Sequence, residues 1–267
     1  MIDTEVIVLD IDGGTMLQAC IDSLQQQTVK PRKIVVFDNG SRTPVSERLR
    51  GSAEIVRSET NRGFAEGNNA AFTQTESPLV ALVNNDVVLD PDWLATLVAA
   101  FDQEASLGAA QTLLRRDATT VDGAGIDVSR GTIRQIGHGA TVGDPLPDAW
   151  GVSATAALYR RAAVGDRLFD PRFFAYYEDV ELCARLHEAG WKTRVLPVAK
   201  ATHRGSHSAS VLGSDALRLR TRNRYLVARM HRGVGRTGAL LWEDVKLLPT
   251  GRSSLRGIWE GLTMRVN

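Results

Sequence analysis

Between residues 5 and 113, short β-branched and apolar runs alternate with stretches of helical period, and each joint is marked by Gly, Asn, Asp or Pro. Residues 5–10, 33–38, 54–57 and 79–83 read as strands, the last apolar throughout, as expected of a strand covered on both faces. Leu17, Cys20, Ile21 and Leu24 recur on one face of a helix for which Thr15 is the expected N-cap. Residues 64–75 and 92–103 form two more helices, the second started by Asp90-Pro91 with proline in its first position. This alternation predicts an α/β fold built on a mostly parallel sheet flanked by helices.

Between residues 115 and 148 the pattern loosens into Gly-bearing short segments, an excursion from the main sheet. Order returns with a strand over 152–159, a helix over 178–189 and strands near 193–196 and 200–202. Beyond residue 214 the chain reads as helical, interrupted at Gly233-Val234-Gly235 and Pro249-Thr250-Gly251. A composition of 43% apolar and 24% charged residues over 267 positions excludes disordered and fibrous classes. Cys20 and Cys183 are too few for a disulfide framework or a zinc quartet, so a buried, reduced pair is expected. No run approaches the roughly 18 apolar residues of a membrane span. The acidic start Met1-Ile2-Asp3-Thr4-Glu5 does not resemble a signal peptide, and the expected location is cytoplasmic.

The net charge of +1 hides an asymmetry. From residue 203 onward, 11 Arg and one Lys face four acids, a surplus of +8 that leaves −7 on residues 1–202. A basic tail on an acidic body suits an anionic partner, or is a solvated helix face. Residues 214–230 set Leu217, Tyr225 and Leu226 among Arg218, Arg220, Arg222, Arg224 and Arg229. That pattern is compatible with peripheral contact at the inner face of a membrane. It is equally compatible with packing on the body, where Arg222 or Arg224 would reach a diphosphate, or with a homodimer surface. Nucleic acid is not expected, since the tail lacks a binding motif and interleaved aromatics.

In open parallel sheets ligands bind beyond the carboxyl ends of the strands. Three predicted strands end there in polar groups: Asp10, Asp38-Asn39 and Asn84-Asn85-Asp86. Like charges gathered on one edge are costly unless a cation or a hydrogen-bonded ligand uses them. Asp86 could hold a Mg²⁺ or Mn²⁺ ion with a diphosphate; an Asx turn is the plainer alternative. Asn61 to Asn69 is a glycine-bearing loop opening a helix whose N-terminus favours anionic oxygens. Glu178 and Asp179 start a helix behind the aromatic run Phe173-Phe174-Ala175-Tyr176-Tyr177, where a carboxylate can act as general base or merely compensate the helix dipole. His203 and His207 follow a short strand, and a histidine near a metal–phosphate site can be a ligand.

The order of these four motifs resembles the inverting family 2 glycosyltransferases with a GT-A fold, in particular their rhamnosyltransferase-like bacterial members. The resemblance runs over about residues 5–210, and it implies a GT-A domain over residues 1–210 followed by a basic helical extension over 211–267. It implies that Asp38 recognises the pyrimidine base of a nucleoside diphosphate sugar and that Asn61, Gly63 and Asn68 line the nucleotide pocket, with Asp10 and Asn85 in the same nucleotide-binding group. It implies that Asp86 coordinates a divalent metal, Mn²⁺ or Mg²⁺, with His203 as second ligand. Asp179 becomes the general base and Glu178 the neighbour that shapes the site. The implied reaction moves a sugar, rhamnose from dTDP-rhamnose or otherwise one from a UDP-sugar, to a hydroxyl of a saccharide or lipid-linked glycan. The sequence departs from the family at Asp10-Ile11-Asp12, where relatives carry Asn-Tyr-Asn, at Ala154 in place of Gly, and at Glu66 near the expected phosphates. A vestigial nucleotide-sugar or glycan-binding module is the competing reading. A dinucleotide-dependent oxidoreductase is disfavoured, because no Gly-x-Gly-x-x-Gly follows the first strand.

Overall fold

The computed structural model describes residues 2–205, 212–213 and 215–266. The first half alternates as β1 (Thr4–Asp10), α1 (Thr15–Gln25), β2 (Lys33–Asn39), α2 (Val45–Arg48), β3 (Glu54–Ser58), α3 (Gly63–Phe72), β4 (Leu79–Asn84), β5 (Val87–Leu89) and α4 (Trp93–Gln103). Then come β6 (Leu107–Arg115), β7 (Val121–Gly123), β8 (Ile126–Asp127), β9 (Arg134–Gln135), β10 (Ala156–Arg160), α5 (Arg161–Val164), α6 (Glu178–Glu188) and β11 (Lys192–His203). Three helices follow: α7 (Asp215–Met230), α8 (Thr237–Leu247) and α9 (Leu255–Thr263).

The main sheet has the order β3-β2-β1-β4-β10-β6-β11-β5, with β7 on β6, and β8 pairs β9 apart from it. Strands β3, β2, β1 and β4 are parallel, as are β6 and β11, while β10 lies antiparallel between β4 and β6. Two reversals restore direction, so β1, β2, β4, β6 and β11 all point their carboxyl ends to one edge. Alternation along β1 and β2 divides the core into two layers. Val6, Val8 and Val36 pack with Leu17 and Ile21 of α1 and Trp93 and Leu97 of α4. Ile7, Val35 and Phe37 face Ala65 and Phe72 of α3, Leu182 of α6 and Leu226 of α7. Cys20 and Cys183 are free and buried, one in each layer.

Several local expectations are corrected. Thr15 is the first residue of α1, with Gly14 as its N-cap. Pro91 stays in the turn before α4, whose N-cap is Asp92. Of the expected 152–159 strand only residues 156–159 pair, within β10, which runs on to Arg160. Upstream, the Ser153 and Ala154 N–H groups donate to Gln111 Oε1 and Asp179 Oδ2 instead of to a strand partner. The two strands expected after α6 are one strand, β11, with irregular register near Leu196 to Ala201.

The basic helix α7 is a packing element. Leu219, Tyr225 and Leu226 are buried. Its arginines are committed within the chain: Arg218 to Asp215 and Glu260, Arg224 to Asp244, and Arg229 to the carbonyls of Gly261 and Met264. Gly257 and Gly261 of α9 let the two helices touch, since a Cβ there would lie 2.6 Å from the Arg218 carbonyl or 2.5 Å from that of Arg222. Among the described residues no helix is long and apolar enough to cross a membrane.

Candidate active site

At the parallel end of the carboxyl edge the polar groups bind one another. Asp10 is fully buried; Oδ1 accepts from Asn85 Nδ2 at 2.6 Å, and Oδ2 meets Ser41 Oγ and the Arg48 guanidinium. Gly13 must be glycine, because a Cβ would sit 2.1 Å from Asp10 Oδ1. Asp38 is buried as well and accepts from the Ser41 and Val45 N–H groups, at 2.9 and 3.0 Å, and from Arg57. Burial pushes its carboxyl up, but these donors outweigh burial and hold it below the usual range.

The Asn61 loop is similarly closed. Asn61 Oδ1 accepts from the Gly63 N–H at 2.8 Å and from Asn39 Nδ2 at 3.1 Å. The Phe64 and Ala65 N–H groups both point to the Phe174 carbonyl, at 2.6 and 3.4 Å. The expectation that this helix start offers its N–H groups to anionic oxygens is therefore corrected: its first three donors are taken by Asn61 and Phe174. Gly63, at φ +81°, permits the contact, since a Cβ would lie 2.5 Å from the Phe174 oxygen. Asn68 is buried and donates to the Phe64 carbonyl at 2.9 Å. Glu66 pairs with Arg62 at 2.7 Å, which offsets its charge.

The other end of the edge is built differently. Asp86 lies in the turn from β4 to β5, and the antiparallel pairing of β5 with β11 sets Val87 opposite His203. The Arg204 N–H donates to the Asp86 carbonyl at 2.9 Å, fixing the register. His203 Nε2 consequently faces Asp86 Oδ2 at 3.3 Å, while Nδ1 meets Asp122 Oδ2 at 2.7 Å. Burial would lower the imidazole pKa, but the two carboxylates outweigh burial and hold it at about 9. Asp122, on β7, has its own carboxyl lowered, chiefly by His203. A carboxylate and an imidazole, the latter oriented by a second carboxylate, form a donor pair suited to Mn²⁺ or Mg²⁺ that also takes phosphate oxygens. Among the described residues no group of three or more His, Cys, Asp or Glu gathers as a metal cage. His207 lies outside the described residues.

Glu178 and Asp179 open α6 after two consecutive left-handed residues, Tyr176 at φ 71° and Tyr177 at φ 68°. Such backbone is costly for non-glycine residues and persists only where its surroundings enforce it. The enforcement comes from α7: Asn223 Nδ2 donates to the carbonyls of Ala175 and Tyr176, both at 2.8 Å, and the Arg220 guanidinium lies 4.4 Å from the Tyr176 ring centre. Arg222 donates to the Arg172 carbonyl and to Asn223 Oδ1. Asp179 accepts from the Val180 N–H at 2.8 Å and the Ala154 N–H at 3.3 Å. Burial nevertheless raises its carboxyl pKa. Glu178 is raised well above its usual range by burial and by the adjacent Asp179, and its Oε2 is a buried atom with no hydrogen bond.

One cavity of about 760 Å³ joins these groups, with Asp86, His203, Asp122, Glu178, Asp179 and Tyr176 in its lining. Asp10, Asp38, Asn61, Gly63, Asn68 and Asn85 are not in that lining. Ser153, Ala154 and Thr155, the non-strand residues before β10, form part of the wall, and Arg220 enters it from α7. Sequence reasoning missed Asp122, whose Val121-Asp122-Gly123 context carries no distinguishing pattern. It also missed Arg220 and Asn223, having favoured Arg222 or Arg224 as the tail residues that reach the site.

A sheet with this strand order, carrying an Asx-Asx-Asp turn and an acidic helix start on one edge, has the GT-A glycosyltransferase fold. Solved structures agree: mannosyltransferase PcManGT from Pyrobaculum calidifontis, in complex with GDP-Man and Mn²⁺, superposes with a TM-score of 0.60 at 15% identity, over 96% of this chain and 79% of that one. GalNAc-T7 with UDP, GalNAc and Mn²⁺ gives 0.62 at 14% identity, over 86% and 48%. The chain belongs to glycosyl transferase family 2, whose sequence profile matches residues 12–168, more than half of its length.

Among curated relatives, an uncharacterized protein of Sinorhizobium fredii is 26% identical over 76% of this chain, which spans only 24% of that protein's length. The N-acetylglucosaminyl-diphospho-decaprenol L-rhamnosyltransferase of Mycobacterium tuberculosis is 26% identical over 76% of both chains. The O-antigen chain rhamnosyltransferase RfbN of Salmonella typhimurium is 23% identical, over 76% of this chain and 66% of its own.

Proposed function

We propose that this chain is an inverting, metal-assisted glycosyltransferase that moves a sugar, rhamnose from dTDP-rhamnose or otherwise one from a UDP-sugar, onto a hydroxyl of a saccharide or lipid-linked glycan. The observation that carries this reading is the shared cavity, in which the pair Asp86 and His203 lies with the pair Glu178 and Asp179. The names of the mycobacterial and Salmonella relatives support rhamnose, and the first of them supports a lipid-linked acceptor.

Asp86 and His203 would hold the metal, with Asp122 orienting the imidazole by accepting from Nδ1. A bound Mn²⁺ or Mg²⁺ offsets the charge that develops on the departing diphosphate. Asp179 accepts the proton of the acceptor hydroxyl. The freed oxygen then bonds to the anomeric carbon as the bond from that carbon to the diphosphate oxygen breaks, and the bonding pair leaves with the nucleoside diphosphate. One displacement of this kind inverts the anomeric configuration. A raised carboxyl pKa suits a general base, since a stronger base is a better proton acceptor. Glu178 lies beside Asp179, and burial together with the Asp179 charge raises its carboxyl pKa as well. Asp10, Asp38, Asn61, Gly63, Asn68 and Asn85 shape the nucleotide side of the edge, and their hydrogen bonds within the chain support a role in holding it rigid.

The test is transfer from dTDP-rhamnose and from UDP-sugars to a panel of glycan acceptors, with the product anomer read by NMR. The expected product has the opposite anomeric configuration to the donor, and Asp179→Asn makes it at least about 10²-fold more slowly. A retained configuration, or unchanged turnover in Asp179→Asn, contradicts the mechanism. Tight nucleotide-sugar binding with neither transfer nor donor hydrolysis would favour the vestigial module.

A further inference from the structure

Six large apolar side chains are exposed among the described residues, and five of them sit on the last two helices: Leu241, Trp242 and Val245 on α8, Leu255 and Trp259 on α9. Trp242 is 65% exposed and Trp259 69%, although each helix already buries an opposite face. On α8 that face is Leu240 and Asp244; on α9 it is Gly257, Ile258 and Gly261, set against α7. The spacings 241/245 and 255/259 are one helical turn, so each helix carries an outward apolar strip that does nothing for the core.

The charge around these strips has one sign. After Met230, every exposed charged residue is a cation: Arg232, Arg236, Lys246, Arg252, Arg256 and Arg265. The three acids of this stretch are each drawn to arginine, Glu243 to Arg134, Asp244 to Arg224 and Glu260 to both Arg218 and Arg256, so among the described residues Arg256 alone of the six cations shares an acid. Lys246 Nζ lies 4.4 Å from the Trp242 ring centre, so a cation and an indole are presented together.

We infer that the outward faces of α8 and α9 dock on an anionic lipid bilayer, with Trp242, Leu255 and Trp259 entering the headgroup and acyl boundary and the cations meeting lipid phosphates. Exposed indoles flanked by lysine and arginine suit that boundary, where a ring needs apolar surroundings on one side and water on the other. A second copy of this chain fits less well, because a two-fold contact through this face would bring two surfaces of the same positive sign together, Lys246 beside Trp242 among them. This replaces α7 as the membrane-facing helix, since the apolar side chains of α7 lie in the core and its arginines bind the chain. The inference is separate from sugar transfer and is read without any donor present.

The test is co-sedimentation of the full chain with phosphatidylcholine vesicles, with and without phosphatidylglycerol. Binding is expected only with phosphatidylglycerol and should weaken as salt rises. The double variant Trp242→Ala/Trp259→Ala should lose about tenfold or more in partition at an unchanged melting temperature, because neither indole packs in the core. Lys246→Gln/Arg252→Gln should lose a similar factor on anionic vesicles alone. Equal partition onto both vesicle types, or no change in the tryptophan double variant, overturns the inference. So does a dimer seen by sedimentation velocity that the tryptophan variant dissolves while the wild type binds no vesicle, which would assign the face to a second copy.

Discussion

At the parallel end of the sheet edge, the oxygens of Asp10 and Asp38 are filled by donors from their own chain, and the Asp38 carboxyl is pulled below its usual range. At the mixed end, Glu178 and Asp179 are pushed above theirs, and Asp86 meets the His203 imidazole at 3.3 Å in the wall of the cavity. Both ends bury acids beyond strand or loop termini. Only at the mixed end, at Glu178 and Asp179, does burial outweigh the donors that the chain supplies. Burial of a carboxylate therefore does not mark chemistry here; the balance between burial and available donors does.

Variants that separate activity from stability break or sharpen this contrast. The largest effect expected is in Asp179→Asn, with turnover down by about 10²- to 10⁴-fold, as for loss of a general base. Its stability should not fall, because burying an amide is easier than burying a carboxylate. Next, Asp38→Ala should cost about 2–4 kcal/mol in urea unfolding, since it strands two N–H groups and leaves Arg57 beside an empty position. An Asp38→Ala protein as stable as wild type would erase the distinction between the two ends.

Asn223→Ala should lower kcat by roughly tenfold while leaving the donor KM unchanged, because it frees the Ala175 and Tyr176 carbonyls and lets the start of α6 relax. The smallest effect is in the pH dependence of stability. Glu178 binds its proton more tightly folded than unfolded, so its contribution is full below its ordinary pKa of 4.5 and is lost as pH rises through its raised folded value. Glu178→Gln should remove that loss, at most about 1.4 kcal/mol per pH unit for one proton. Thermal melts across pH compare the two proteins, and parallel curves would refute the assignment.

Much of the parallel end is legible in the sequence because it is local. The apolar runs give β1 to β4, and the polar residues that close them fall where a parallel sheet gathers its carboxyl ends. The mixed end depends on long-range pairing. His203 reaches Asp86 only because β5 pairs with β11, and Asp122 reaches His203 only because β7 folds back on β6. Spacing along the chain carries neither fact. Asn223 and Arg220 were obscured for another reason: in a helix rich in arginine, the residues that touch the site differ from their neighbours only by which face is turned inward. The outward strips of α8 and α9 were equally hidden, since an exposed tryptophan and a buried one read alike until the packing of Gly257 and Gly261 fixes the inner face.

The most direct test of the account is calorimetric titration with dTDP and UDP, each with and without Mn²⁺, on the wild type, Asp86→Ala and Asp179→Asn. The account predicts binding that requires Mn²⁺, that is lost in Asp86→Ala and that is kept in Asp179→Asn. Binding that is independent of metal and equal in Asp86→Ala would contradict it.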